Sequence, residues 1–303
     1  MAELSDNSRG ALLMAGAMAA FTFNDSFMKA LLVDIPLSQA LLMRGVLNVL
    51  MVFVAVAPFV DPVTVTMPRR DWVLIVLRSF MEVGVAFTFL HAITTMPLAN
   101  ATAIMQTMPL VITIASALVF RDPLGWRRIL AIIVGFCGVL LIVKPGTDGF
   151  SAGALWALAA VVAVTIRDLS VRGMSSAAST STVTLCAVLA VVVVAGLSTL
   201  GEDWVQLSTK NWGQLMGTAI CVTVAYVLSV VVMKVGEISF VSPFRYTALI
   251  WALLVGFFAF GEWPAISSLV GAAIIAATGI YTVIRETRLR RTGQIGGKAV
   301  NRA

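Results

Sequence analysis

Long uncharged runs separated by short polar turns fill most of the chain, and they predict helices that span a membrane. The clearest example is Met96–Phe120, 25 residues without a charge, followed by a turn that contains three arginines and an aspartate. A second uncharged run, Ile129–Val143, comes next. A transmembrane helix needs about 20 apolar residues, so this region is typical of two spanning helices joined as a hairpin. Helices are favoured because lipid offers the backbone no hydrogen-bond partner.

The same pattern along the whole chain predicts ten spanning helices. Their ranges are 11–32, 37–59, 72–93, 97–119, 127–144, 152–171, 181–199, 213–234, 239–260 and 266–285. The connections are short, and the longest, about 200–212, is polar. We therefore expect no separate soluble domain.

The chain is predicted to consist of two copies of one unit. The turn prolines Pro123 and Pro264 lie 141 residues apart, and so do Gly138 and Gly279. Five helices is an odd number, so the second copy would enter the membrane from the opposite side. Inverted repeats of this kind are typical of transporters with a substrate site near the membrane midplane. The predicted units are 1–148 and 149–303, the second including a basic tail at 286–303.

Composition supports an all-α integral membrane protein. Hydrophobic residues make up 59% of the chain and charged residues 12%, whereas soluble domains have about 25% charged residues. Cys137, Cys186 and Cys221 lie far apart, a spacing that predicts neither a disulfide framework nor a metal site. Acidic residues near the start, and Asp25 in the first apolar run, favour a retained first helix over a signal peptide.

Basic residues predict the orientation. With the N-terminus in the cytoplasm, 15 of the 21 lysines and arginines fall inside, and Lys144 and Lys210 fall outside. The positive-inside rule then places both termini in the cytoplasm of a multi-pass inner (plasma) membrane protein. The basic tail is expected to contact anionic lipid and no nucleic acid.

Several sequence features resemble one known family. They are Met96-Pro97-Leu98-Ala99-Asn100-Ala101 with Pro109, the turns Phe120-Arg121-Asp122-Pro123 and Phe260-Gly261-Glu262-Trp263-Pro264, Arg44-Gly45, and the glycine-spaced fifth and tenth spans. Together they resemble the drug/metabolite transporter superfamily, specifically EamA-type carriers. The resemblance implies ten helices in two inverted five-helix repeats, and it implies transport of amino acids or other small metabolites. Arg121-Asp122 departs from the Gly-Glu that the family usually has at the first turn.

Charged residues inside spans are candidates for function, because each costs about 2.5–3.5 kcal/mol to insert. Six qualify: Asp25, Lys29, Arg44, Arg78, Glu82 and Arg245. Asp25 with Lys29, and Arg78 with Glu82, have i,i+4 spacing, so each couple either neutralises itself or serves the substrate. Lys29 could also extend to the outer surface. Arg44 and Arg245 have no partner on their own helix.

The predicted site combines these charges with polar residues of the fourth and ninth spans. The substrate-binding residues are predicted to be Arg44, Arg78, Glu82, Asn100, Gln106, Arg245 and Tyr246, with Asp25 and Glu82 as proton-coupling groups and Pro109 as a gating kink. Arginine binds carboxylates through its planar fork, and an acidic group could take an ammonium or a proton. Helix–helix hydrogen bonding is the alternative role for the uncharged members. No metal, cofactor or catalytic residue is predicted.

The sequence thus predicts a secondary transporter that works by alternating access, as a monomer or weak homodimer. Export of amino acids is the function that the family resemblance implies. Import of a nucleoside-like or organic-anion metabolite by the same fold is the alternative. An intramembrane enzyme is disfavoured because His91 is the sole histidine and Ser151, in a G-x-S-x-G match, is predicted to cap the sixth span.

Overall fold

The computed structural model describes residues 6–55, 66–120, 125–145, 151–175, 177–235 and 238–291. These residues form helices and connecting turns, with no strand among them. The helices are α1 (Asp6–Leu31), α2 (Leu37–Ala55), α3 (Arg69–Thr95), α4 (Leu98–Met105), α5 (Met108–Phe120), α6 (Trp126–Val143), α7 (Ala152–Arg172), α8 (Thr180–Ser198), α9 (Thr209–Val235), α10 (Ile238–Val241), α11 (Thr247–Phe260) and α12 (Ile266–Arg291). A 3-10 segment, Ser242–Tyr246, joins α10 to α11.

These helices confirm the predicted spans. Nine stretches of the described chain are long and apolar enough to cross a membrane, and α2 adds the shorter apolar stretch Leu37–Met51. The fourth span is α4 followed by α5, and the ninth is α10, the 3-10 segment and α11. The turn at 121–124 and the tail beyond 291 lie outside the described residues.

The helix pairings have the symmetry of two related halves. The first span packs on the eighth (α1 on α9), and the third packs on the sixth (α3 on α7). The second packs on the seventh (α2 on α8), and the fifth packs on the tenth (α6 on α12). Exchanging the halves turns each pairing into itself or its counterpart, as two copies related by a twofold axis require. Because each copy has five spans, the copies run in opposite senses, and the predicted inverted repeat is confirmed.

Small residues allow α6 and α12 to approach closely. A Cβ atom at Gly138 would stand 2.8 Å from the carbonyl oxygen of Gly271. In lipid, helices associate through such close backbone contact rather than through the hydrophobic effect. Many large apolar side chains of α6 are exposed, among them Ile133 and Leu140. The α6–α12 pair therefore has a lipid-facing, peripheral character.

The fourth and ninth spans are both interrupted, and the interruptions meet. The fourth breaks at Gln106 and Thr107, one turn before Pro109, because proline has no N–H to bond the carbonyl four residues back. The ninth carries its 3-10 segment at nearly the same depth. The Gln106 amide donates to the Arg245 carbonyl oxygen, at 2.9 Å. The span is thus interrupted near Pro109, one turn before the proline, and a gating role for this position stays a prediction.

Candidate functional site

Charged and polar side chains from five helices converge between the two halves. They are Asp25 of α1, Arg44 of α2, Arg78 and Glu82 of α3, Arg167 and Asp168 of α7, and Tyr226 of α9. We call this set the central cluster. The first four belong to the first half of the chain and the last three to the second, so relative movement of the halves would rearrange the cluster.

Arg44 is the least committed charge in the cluster. Its guanidinium interacts electrostatically with Asp25, Glu82 and Tyr226, but it makes no hydrogen bond or ion pair within 4 Å to any residue the structure describes. Asn48 lies one turn further along the same face of α2, and its buried Oδ1 atom also makes no hydrogen bond there. Buried polar groups are normally satisfied. This face of α2 therefore offers donors and an acceptor to a ligand.

An ionic bridge links α3 to α7. The Arg167 Nη1 atom lies 3.3 Å from Glu82 Oε2, and the Arg167 Nε atom donates to Asp168 at 2.9 Å. Arg78 lies 4.0 Å from Glu82, so the predicted i,i+4 pair forms but shares Glu82 with Arg167. Arg78 also donates to the Val183 carbonyl oxygen, at 3.4 Å.

The first helix corrects one predicted pair. Asp25 does not pair with Lys29. It accepts a hydrogen bond from the Asn24 amide at 2.9 Å and faces the charge of Arg44. Lys29 is buried rather than extended to the surface, and it forms its ion pair with Glu262 of the second half. The i,i+4 spacing was misleading because Lys29 pairs with Glu262, in the turn before α12, whereas Asp25 bonds its neighbour Asn24 and faces the charge of Arg44.

Sequence reasoning missed Arg167 and Asp168. Arg167 is one of the 15 basic residues that the positive-inside rule places in the cytoplasm, but it lies inside α7 and is partly buried against Glu82. The sequence held a usable signal: Arg167 lies more than one turn, about 5.4 Å, before the end of α7 at Arg172. It therefore falls within the span rather than in the cytoplasmic connection. With Arg167 removed, 14 basic residues remain inside against 2 outside, and the predicted orientation is unchanged.

Aromatic rings line one side of the cluster. Tyr226 is 51% exposed, and it interacts with the charges of Arg44, Glu82 and Arg167. The Phe21 ring packs edge-on against Tyr226, with centroids 5.6 Å apart. Phe21 precedes Asp25 by one turn and shares its face of α1. The central cluster thus combines ionic groups with an aromatic pair.

The remaining predicted site residues lie at the meeting point of the two interrupted spans. Gln106 bonds the backbone of Arg245, whose side chain is exposed. Tyr246 is buried against Gly279 of α12, and its hydroxyl makes no hydrogen bond there. Asn100 is half-buried on α4. Among the described residues, no interaction joins this group to the central cluster, so the predicted site divides into two places.

The profile of the EamA-like transporter family matches the chain twice, over residues 8–144 and 151–285. The chain is similar to the riboflavin transporter of Vibrio cholerae serotype O1, with 29% identity over 71% of this chain and 72% of that protein. It is 21% identical to the S-adenosylmethionine uptake transporter of Rickettsia conorii, over 70% of this chain and 72% of that one. It is also 21% identical to the pseudopaline exporter of Pseudomonas aeruginosa, over 88% of this chain and 94% of that protein.

A solved crystal structure has the same fold. It aligns with a TM-score of 0.57 and 18% sequence identity, and the alignment covers 93% of this chain and 99% of that one. The agreement extends over both halves, since so little of either chain lies outside it.

Proposed function

The chain belongs to the EamA-like transporter family, and from this premise we propose that it carries a small zwitterionic metabolite, with amino-acid export as the leading case. The observation that carries the proposal is Arg44 in the central cluster, which faces the charge of Asp25 and makes no hydrogen bond or ion pair with a described residue. Transport of small metabolites across a membrane follows from the family. The substrate, the direction and the roles of the residues are the proposed part.

The charges of the central cluster suit a substrate that bears both signs. Arg44 is half-buried and has no hydrogen-bond partner among the described residues, which is costly for a charged group, and a carboxylate would satisfy it through two parallel hydrogen bonds. Asp25 stands within electrostatic range of Arg44 and would take the ammonium group. A purely cationic substrate would leave Arg44 unsatisfied, so it fits less well.

Alternating access is the mechanism that the repeat architecture favours. The Arg167–Glu82 bridge joins the halves, so rocking of one half against the other would strain or break it. A bound substrate would stabilise whichever arrangement gives Arg44 and Asp25 their partners, and a ligand shifts a conformational equilibrium only through such differential contacts.

Uptake of a heterocyclic metabolite is the second candidate function. Two relatives are named for transport of riboflavin and uptake of S-adenosylmethionine, and both compounds contain a flat ring system. The Phe21–Tyr226 pair supplies an aromatic surface beside the charges, on which such a ring could stack. The pseudopaline exporter, in contrast, is named for outward transport.

Counterflow into proteoliposomes tests these proposals. The purified full chain is reconstituted into vesicles that contain one unlabelled compound at a time, and uptake of the labelled form of the same compound is measured. The compounds are neutral, acidic, basic and aromatic amino acids, riboflavin and S-adenosylmethionine. Saturable exchange of an amino acid, absent from protein-free vesicles, supports the leading proposal. Exchange of riboflavin or S-adenosylmethionine alone replaces it with the second candidate. Flux that does not saturate contradicts a carrier mechanism.

A further inference from the structure

We propose that Lys29 and Glu262 form an ionic latch that holds one end of the transporter closed, and that transport requires the latch to open. The end concerned is where α1 finishes, α4 begins and α11 turns into α12. The predicted orientation makes it the outer end. The inference goes beyond the proposed function, because it concerns the conformational cycle and not the substrate.

The latch consists of several contacts that converge on two side chains. Lys29 pairs with Glu262 Oε1 and donates to the Met96 carbonyl oxygen at 3.0 Å. The second carboxylate oxygen of Glu262 accepts from the Leu98 backbone N–H at 2.9 Å, which satisfies a free donor at the start of α4. The Lys29 ammonium also lies 5.3 Å from the centre of the Phe260 ring. One carboxylate of the second half thus holds two helices of the first.

The turn before α12 aims Glu262 at this position. Gly261 ends α11 in the left-handed conformation, with φ of 64°, which glycine adopts without strain. The Glu262 N–H then bonds back to the Gly256 carbonyl oxygen at 2.9 Å. The charged side chain therefore projects from a fixed turn rather than from a loose loop, which lowers the entropy lost when the pair forms.

The residue of the second half that corresponds to Lys29 is Arg172, and its side chain is more exposed. Asp25-x-x-x-Lys29 in α1 corresponds to Asp168-x-x-x-Arg172 in α7. The Lys29 side chain is 10% exposed, whereas Arg172 is exposed and donates to Ser116 at 3.0 Å. Lys29 is therefore the more deeply enclosed of the two corresponding cations, and this burial is what the proposed latch requires at its end of the bundle.

Partial burial makes the pair strong enough to act as a latch. Exposed ion pairs contribute little, whereas removing one partner of a buried pair leaves the other charge without compensation. The Lys29 and Glu262 side chains are 10% and 21% exposed, so they lie between these cases. The same end holds a second contact between the halves, Lys210–Asp34 at 3.4 Å, whose lysine is 68% exposed. That exposed pair is a matched control.

Spin-label distances across this end test the latch without any substrate. Val33 and Ala265 are exposed on the two halves, and they would be replaced by labelled cysteines after Cys137, Cys186 and Cys221 are changed to alanine. We expect Lys29→Met and Glu262→Gln each to raise the population with the longer label-to-label distance about tenfold. This effect is larger than that of removing an exposed ion pair and smaller than that of removing a fully buried one. Lys29→Arg should keep the parent distribution, and Lys210→Met should change it less than about twofold.

The outcomes separate a latch from a merely structural pair. In a double-mutant cycle, Lys29→Met with Glu262→Gln should shift the distances no more than the larger single change does, because both remove one interaction. Parent-like distances in folded Lys29→Met and Glu262→Gln, or strictly additive shifts, would overturn the proposal. Thermal melting in detergent identifies variants that unfold. If Lys29→Met or Glu262→Gln unfolds, the conservative Lys29→Arg variant is the test. Loss of the closed distance in Lys29→Arg, although the charge is retained, would also overturn the proposal. Failure of the amino-acid assay leaves this test intact.

Discussion

At the scale of single residues, Arg44 differs from the other charges of the central cluster. Arg167 shares two carboxylates and Arg78 bonds a carbonyl oxygen, whereas Arg44 makes no such contact with a described residue. The difference assigns separate expected roles: the Arg167 bridge positions the helices, and Arg44 is available for a ligand.

Substitution of Arg44 tests that assignment. Arg44→Met should weaken substrate binding roughly ten- to hundredfold, because a hydrogen bond to a charged group contributes about 1.5–3 kcal/mol. Arg44→Lys should recover part of it, since an ammonium supplies the charge without the planar fork. Scintillation-proximity binding to purified protein measures both. Arg70→Met, which changes an exposed arginine at the start of α3, is the control. Unaltered affinity in Arg44→Met would remove Arg44 from the site.

Asp25 and Glu82 are the predicted proton-coupling residues, and their pH response distinguishes them. If one of them exchanges the coupling proton, its amide variant, Asp25→Asn or Glu82→Gln, should give flux that no longer depends on pH. The other variant should keep the parent profile. Initial rates in liposomes over a pH series with equal pH on both sides provide the measurement. Full pH dependence in both variants would exclude proton coupling through this cluster.

At the scale of elements, close backbone contact defines how α6 and α12 pair. Gly138 and Gly271 place each backbone against the other's carbonyl oxygen, and apolar side chains elsewhere on α6 are left for lipid. The two helices contact each other more extensively than they contact the rest of the bundle, so we expect them to support the proposed site rather than to form part of it.

An added methyl group tests the contact. A Cβ at Gly138 meets the Gly271 carbonyl oxygen at 2.8 Å, so Gly138→Ala must separate the helices and should cost about 1–3 kcal/mol. Gly213 in α9 has open space around its Cβ position, and Gly213→Ala should be neutral or stabilising by up to about 1 kcal/mol. Melting temperatures in detergent compare the two. Equal melting of both variants would show that the close approach contributes nothing to stability.

At the scale of the whole molecule, both halves build every functional feature. The ionic bridge, the latch and the contact between the interrupted spans each join a residue of the first half to one of the second. Because the halves are inverted copies, we expect that, if the proposed latch closes one end, an exchanged arrangement of such contacts closes the other.

Membrane orientation is the whole-molecule prediction from the basic residues. Val33, in the α1–α2 turn, should react from outside after replacement by cysteine, and Thr66, before α3, should react from inside. An impermeant maleimide applied to intact cells and to inverted vesicles measures the two in turn. Both positions are exposed, so accessibility within the fold does not limit the reaction. Labelling in the reverse order would place the termini outside and the latch at the cytoplasmic end.

Particular residues show how far sequence patterns reach. Arg44 and Glu82 were predicted as site residues from the cost of charge in lipid, and they lie together. The same argument applied to Arg245, but the structure places its exposed side chain away from the central cluster. Depth in the membrane can be read along one helix, whereas the direction in which a side chain points depends on the rotation of that helix against its neighbours.

The sequence alone determined the ten spans, the duplication and the inverted sense of the halves. These follow from runs of apolar residues, from repeated spacing and from the odd number of helices in each copy, all of which are local or countable properties. Tertiary structure alone decided the partners: Lys29 with Glu262 rather than Asp25, and Arg167 with Glu82 rather than cytoplasmic solvent. The members of these pairs are 233 and 85 residues apart, and only packing of the helices brings such distant charges within reach.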